Sequence, residues 1–381
     1  MIEIPKRIKN LIPYKAGKPI SELAGEKKLG KIVRLASNEN PLGPSPKAMQ
    51  AIRENISWAH LYTDPASAEL VEAIAEKYGK KSDQIICGHG IDALLADIII
   101  AFTEESDEVL CFNGSFIGIY VNARKLGRKL SLLELKDYEL DLSAIPENIS
   151  PQTRIIYLAN PNNPTGSIFS RSQFEILMSR IPQEILVILD EAYAEYALSY
   201  CPDFPTGLNY DYENLIVARS FSKFHGLAGL RIGFVFGPER LVKELYKVRL
   251  PFEPNFLAQK AAIAALDDNE FMARTLAANK ESLDLMISRF NELGIRLLPT
   301  YANFLLLVMP SEEFARTFYE ECLNNGLILR HVKPFGMPNG IRISSGSKDE
   351  TLFALKIIEE VYQNMTNSLC EETVIQSEDN I

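Results

Sequence analysis

The stretch Ser220-Phe221-Ser222-Lys223-Phe224-His225-Gly226-Leu227-Ala228-Gly229-Leu230-Arg231 leaves one apolar run, Asn214 to Ala218, and enters another, Ile232 to Phe236. Strands this apolar belong inside a protein, so Lys223 is expected at the inner rim of a cleft, where desolvation lowers an amine's pKa and makes it nucleophilic. Ser220, Ser222 and Arg231 around it carry the donors that hold a phosphate. The same residues also suit a surface turn with an ordinary lysine. A second group, Asp190-Glu191-Ala192-Tyr193, closes the very apolar run Ile185 to Leu189. A carboxylate there is costly to bury without a cation, and no basic residue is near it in sequence. A protonated heteroaromatic nitrogen would serve as that cation. Tyr193, three residues on, can hydrogen-bond a neighbouring oxygen.

Two further stretches are weaker signals. Pro161-Asn162-Asn163-Pro164-Thr165-Gly166 follows a buried run and fixes both backbone and amide direction, as a site or as an ordinary turn would. Cys87-Gly88-His89-Gly90-Ile91-Asp92-Ala93 matches the G-x-G-x-x-A dinucleotide pattern, but the next strand ends in Phe112-Asn113-Gly114, without the acid that holds a ribose. Its glycines leave N–H groups at a helix start, which suits a single phosphate. His60, His89, His225 and His331 are scattered without metal-ligand spacing, so no metal is expected.

These groups need a frame that brings distant segments together. Apolar runs at 84–87, 108–112, 154–159, 185–189, 214–218 and 232–236 alternate with helical patterns at 66–78, 91–102, 119–126 and 171–179. That alternation predicts an α/β fold, a large doubly wound and mostly parallel sheet whose strand ends carry the ligand site. Residues 1–36 read as an N-terminal arm, of a kind that packs on a neighbouring subunit, and 37–252 as the large domain. From 253 to 365 the pattern gives a long helical stretch at 255–293, strands at 304–308, 327–330 and 341–344, and a helix at 348–362 with a Ser347/Glu350 capping box. This is a smaller α+β domain. Residues 366–381 are polar and acidic, the composition of a disordered tail.

At 381 residues and 46% hydrophobic composition the chain suits about two domains. Its formal charge of −10 argues against nucleic-acid and anionic-membrane partners, so any phosphate is bound locally. No run approaches about 18 apolar residues, and the N-terminus lacks a signal-peptide core. The five widely spaced cysteines fit a reducing, cytoplasmic compartment.

Asn163-Pro164-Thr165-Gly166, Asp190 with Tyr193, and Ser220-x-Ser222-Lys223 ending in Arg231 together resemble the fold-type I pyridoxal-phosphate aminotransferases. Within that family the segments 11–20, 38–44 and 325–330 are similar to histidinol-phosphate aminotransferases. The resemblance, from about residue 10 to 362, implies transamination of L-histidinol phosphate with 2-oxoglutarate. It implies that Lys223 anchors pyridoxal 5′-phosphate covalently and shuttles the proton, and that Asp190 pairs with the ring nitrogen. Asn163 and Tyr193 would bond the phenolic oxygen and Phe116 would stack on the ring. Ser220, Ser222, Arg231 and the backbone of Ile91 and Asp92 would hold the cofactor phosphate, with Tyr62 reaching over from the partner of a homodimer. Tyr14, Arg330 and Arg342, with Asn163, would bind the substrate.

The chain departs from that pattern at Ala93, at Thr63 and at Asn113-Gly114, near the cofactor edge, which bears on the substrate more than on the reaction. An aromatic amino acid as donor and a threonine-phosphate decarboxylase stand as alternatives. An effector-sensing half of a transcription regulator would need a basic DNA-binding domain ahead of the fold.

Overall fold

The computed structural model describes residues 2–11 and 30–378. Among these, residues 2–11, 39–277 and 299–302 form one unit, and 30–38, 278–298 and 303–378 a second. Strand β1 (Val33–Arg34) lies in the second unit. In the first, β2 (Ile85–Gly88), β3 (Glu108–Phe112), β4 (Lys129–Leu133), β5 (Thr153–Ala159), β6 (Leu186–Asp190), β7 (Leu215–Ser220) and β8 (Gly233–Phe236) form one sheet in the order β2-β8-β7-β6-β5-β3-β4. Strand β8 is antiparallel to both neighbours, and the ladder from β7 to β4 is parallel. The mostly parallel, doubly wound sheet expected from the alternation is therefore present.

Continuous apolar runs form these strands because both faces are covered. Leu186, Ile188 and Ala218 pack with Leu95, Ile98 and Leu245 from the helices Ile91–Phe102 and Glu239–Val248. Val187, Leu189 and Val217 face the other way, onto Leu70, Phe174 and Ala262 from the helices Ala68–Tyr78, Arg171–Arg180 and Phe256–Leu266. Each fully buried aliphatic side chain contributes roughly 1.5–3 kcal/mol. Strand β4 escapes the sequence reading because it is a half-buried edge strand beginning with a lysine, without an apolar run of its own.

The boundary between units falls after Ala277, not near residue 252. The helix Phe256–Leu266 packs on the helices Pro46–Asn55 and Ala68–Tyr78, so the change in texture at 253 marks a new layer on the first core. The expected single helical stretch is two helices, Phe256–Leu266 and Asn269–Glu292, parted at Asp267-Asp268. Asp268 accepts from the Ser45 hydroxyl at 2.6 Å and from Phe271 N–H at 3.3 Å.

In the second unit β9 (Arg296–Leu297), β10 (Phe304–Val308), β11 (Leu327–Ile328), β12 (Arg330–His331) and β13 (Gly340–Ser344) build a sheet β12-β13-β10-β9 and a separate β1-β11 pair. The arm thus ends in a strand of this unit. Phe290, Leu307, Phe318, Ile343 and Ile358 form its core. Ser347 and Glu350 make the expected capping box, with Ser347 N–H donating to Glu350 Oε2 at 2.9 Å and Glu350 N–H to Ser347 Oγ at 3.3 Å. The helix they start, Lys348–Glu378, continues past Tyr362 into the segment expected to be disordered. That segment holds neither glycine nor proline, so nothing in it stops a helix already under way.

Candidate active site

Strands β6 and β7 end at Asp190 and Ser220, and the period of two puts both on the sheet face of Ile188 and Ala218. Asp190 is buried. The Tyr157 hydroxyl of β5 donates to its Oδ2 at 2.7 Å, and Ala192 N–H donates to Oδ1 at 3.1 Å. Burial, with the charges of Asp92 and Glu191, pushes the carboxyl up to about 6 against the pull of these two neutral donors. A carboxyl kept in such a place is suited to pairing with a cation that arrives with a ligand.

Gly90, at φ +81°, begins the helix Ile91–Phe102, whose first N–H groups have no intrahelical acceptor. Ser220 pairs with Gly233 across the β7–β8 ladder. A Cβ on Gly233 would lie 3.1 Å from Ile91 N, so the strand passes directly behind the helix start. A Cβ on Gly90 would lie 2.8 Å from Arg231 Nη2. Ser220 Oγ accepts from Ser222 N–H at 3.0 Å, and Arg231 Nη2 stands 3.7 Å from Asp92 Oδ2. Ser220, Ser222, Arg231, Ile91 and Asp92 are thereby brought to one place, a cup of hydroxyls, guanidinium and helix N–H groups suited to a phosphate.

The lysine loop is held from several sides. Leu227 N–H donates to Phe221 O at 3.0 Å, Gly226 N–H to Lys223 O at 3.2 Å, and the buried Asn40 amide to Phe224 O at 2.9 Å. Lys223 is half-buried between the buried residues Ser222 and Phe224. His225 packs between the rings of Phe221 and Phe224, at 5.1 and 5.4 Å, and burial lowers its pKa.

Asn163 and Tyr193 are both buried, with Asn163 Nδ2 3.5 Å from the Tyr193 hydroxyl. Asn162 ties this loop to the one carrying Phe116: its amide donates to Gly114 O at 2.9 Å and its Oδ1 accepts from Ser115 Oγ at 2.8 Å. Gly118 lets the Phe116 ring and the Asp92 carboxylate approach, since a Cβ there would collide with both.

Tyr62 is 83% exposed and stacked on Phe252 at 4.5 Å. Arg330 and Arg342 belong to the second unit, where they face each other across β12 and β13. Both are buried, with guanidinium carbons 5.7 and 5.8 Å from the Phe335 ring. Tyr14 lies outside the described residues. Tyr157 and the pair Glu191 and Arg219 were not singled out from the sequence. Arg219, a charge inside the apolar run ending at Ser220, was the available signal for that pair. Tyr157 looks like any strand aromatic.

A family model described as aminotransferase class I and II matches residues 30–357. The chain is 38% identical over 346 residues to histidinol-phosphate aminotransferase 2 of Carboxydothermus hydrogenoformans, across 90% of this chain and 95% of the relative. It is 38% identical over 360 residues to the histidinol-phosphate aminotransferase of Brevibacillus brevis, across 93% and 97%. The crystal structure of histidinol-phosphate aminotransferase from Sinorhizobium meliloti in complex with pyridoxal-5′-phosphate superposes with a TM-score of 0.88 at 27% identity, covering 96% of this chain and 99% of that one.

Proposed function

The chain belongs to the aminotransferase class I and II family, and on that premise we propose that it transfers the amino group of L-histidinol phosphate to 2-oxoglutarate, using pyridoxal 5′-phosphate held in the first unit. The observation that carries the cofactor assignment is the buried carboxyl of Asp190, whose hydrogen bonds from Tyr157 and Ala192 are neutral. The donor set fits the group: an acid for a ring nitrogen, Asn163 and Tyr193 for a phenolic oxygen, Phe116 for a ring face, Lys223 for covalent anchorage. Ser220, Ser222, Arg231 and the N–H groups of Ile91 and Asp92 suit its phosphate. When bound, the cofactor supplies an electron sink for a carbanion at the substrate carbon.

The chain's own groups do the rest. Lys223 Nζ is the base that takes the proton from the amine-bearing carbon of the substrate. Asp190 keeps the ring nitrogen protonated and Tyr193 Oη holds the phenolic oxygen. Ser220, Ser222, Arg231 and the N–H groups at the helix start would hold the cofactor's phosphate and fix its place beside Lys223. In the second unit, Arg330 and Arg342 are the pair for the anionic end of the substrate, and Tyr14 and Asn163 are assigned to substrate binding as well.

Histidinol phosphate is favoured over an aromatic donor by the relatives' names. Tyr62, Trp58 and Leu61 are exposed on the first unit. We assign them to the interface of a homodimer in which Tyr62 reaches the partner's phosphate cup. Among the described residues no helix is long and apolar enough to cross a membrane, and Cys87, Cys111, Cys201 and Cys322 are unpaired thiols, which agrees with a cytoplasmic enzyme.

The test is absorbance of the chain loaded with pyridoxal 5′-phosphate. Histidinol phosphate should convert the pyridoxal to the pyridoxamine form and 2-oxoglutarate should restore it. Conversion by phenylalanine alone, or release of carbon dioxide, would displace this reading.

A further inference from the structure

On the sheet face opposite Asp190 and Ser220 lies a buried ion network. Arg219 is 2% exposed and Glu191 0%. Arg219 Nη2 stands 2.7 Å from Glu191 Oε2, and Nε donates to the same oxygen at 2.9 Å. Arg219 Nη1 donates to Glu195 Oε1 at 3.0 Å. Thr206 donates its hydroxyl to Glu191 Oε2 and accepts from Arg219 Nη2, both at 3.0 Å, and Gly207 N–H donates to Glu191 Oε1 at 2.6 Å. The Arg219 guanidinium also lies 5.7 Å from the Tyr78 ring.

The position of this network is its informative feature. Glu191 directly follows Asp190 and Arg219 directly precedes Ser220, so the clamp grips the last residues of two adjacent strands. The final ladder bond, Glu191 N–H to Ala218 O at 2.9 Å, lies inside the grip. A buried ion pair is a poor source of stability, since well-packed apolar residues of the same volume do as well or better. What it gives in exchange is fixed geometry and a fixed field. The charged groups acting on Asp190 are Asp92 from the helix Ile91–Phe102 and Glu191 from its own strand end, with Tyr157 of β5 as hydrogen-bond donor. Each of the two carboxylates has an arginine beside it, Arg231 at 3.7 Å from Asp92 and Arg219 at 2.7 Å from Glu191, and the Arg219–Glu191 pair is buried.

We propose that Arg219 and Glu191 are positioning residues for the reaction: from the rear face of the sheet they lock the ends of β6 and β7 in register and set the electrostatic field at Asp190. The inference rests on the cofactor reading of Asp190 given above.

The experiment uses the full chain loaded with pyridoxal 5′-phosphate. Glu191→Gln keeps the side-chain volume and one acceptor oxygen, for Gly207 N–H, but removes the negative charge beside Asp190. The acid limb of kcat/KM, and of the cofactor's absorbance against pH, should move to lower pH. Arg219→Met should weaken pyridoxal 5′-phosphate binding by roughly tenfold or more, the range for losing a charged hydrogen-bond partner, with little change in KM for the amino donor. Arg219→Lys should recover part of that loss. An unmoved acid limb in Glu191→Gln, with cofactor affinity in Arg219→Met equal to the wild type, overturns the proposal. If Arg219→Met fails to fold, the acid limb of Glu191→Gln decides alone. A wild-type chain that binds no pyridoxal 5′-phosphate would instead overturn the site reading itself, so the two failures are distinct.

Discussion

The Tyr157 hydroxyl donates to Asp190 Oδ2 at 2.7 Å from the neighbouring strand, and it offsets part of the burial that raises the carboxyl to about 6. In the cofactor-free chain a folded-state pKa above the ordinary carboxylate value means that the fold holds this proton more tightly than the unfolded chain does. That stability is complete below about pH 4 and is lost as pH rises through about 6, on the order of 3 kcal/mol. Tyr157→Phe removes the donor, raises the pKa further and extends the loss to higher pH, while Asp190→Asn flattens the curve. Urea denaturation of the cofactor-free chain across this range checks it. Identical pH slopes in Tyr157→Phe and the wild type would contradict the coupling.

Arg330 and Arg342 stand directly opposite each other in an antiparallel ladder. If this pair holds the anionic end of the substrate, inorganic phosphate should raise the Tm of the wild type. Arg330→Ala should lose most of the rise and lower kcat/KM for histidinol phosphate by about 10–100-fold, with the loss concentrated in KM. Arg342→Ala would also remove a hydrogen bond of the fold, since its Nη2 donates to Ala36 O at 2.8 Å. A phosphate-dependent Tm that survives Arg330→Ala would reject the pairing.

The sheet and the candidate site residues at its strand ends are carried by local signals. An apolar run ending in Asp190, and another ending in Ser220 and leading to Lys223, carry strand, strand end and chemistry within a dozen residues. Signals that depend on a partner far away in sequence were not legible. Strand β4 is recognisable only through its pairing with β3, and Val33–Arg34 only through Leu327–Ile328. Tyr157 gains its role from Asp190, 33 residues on. Arg219 and Glu191 break their apolar runs visibly, yet nothing in either run says that the two charges meet.

Gly226 sits at φ +69°, and a Cβ there would run into the Gly43 carbonyl oxygen and lie 3.0 Å from Pro44 Cα. Neither neighbour is a side chain that can swing aside. Gly226→Ala should therefore cost about 1–3 kcal/mol or more in denaturant unfolding and displace the Lys223 loop, lowering cofactor affinity. Gly229→Ala, in the same loop, meets nothing within 4 Å and serves as the control. Equal effects of the two substitutions would mean that the Gly226 contact does not hold the loop.

Tyr62 is 83% exposed, and its ring stacks on Phe252 at the surface of the first unit, with Trp58 and Leu61 also exposed nearby in sequence. An aromatic cluster left in water is costly unless another surface covers it. If that surface is a second copy whose phosphate cup receives Tyr62, then Tyr62→Ala should weaken pyridoxal 5′-phosphate binding. Lys223→Ala should be inactive in multiple turnover. Mixing the two variants after mild dissociation should restore activity, because one of the two shared sites in a mixed dimer then combines an intact Lys223 with an intact Tyr62 of the other chain. Sedimentation velocity establishes the dimer and the turnover assay reads the complementation. Activity that stays at the level of the separate variants, in a sample shown to contain mixed dimers, would place Tyr62 outside the shared site.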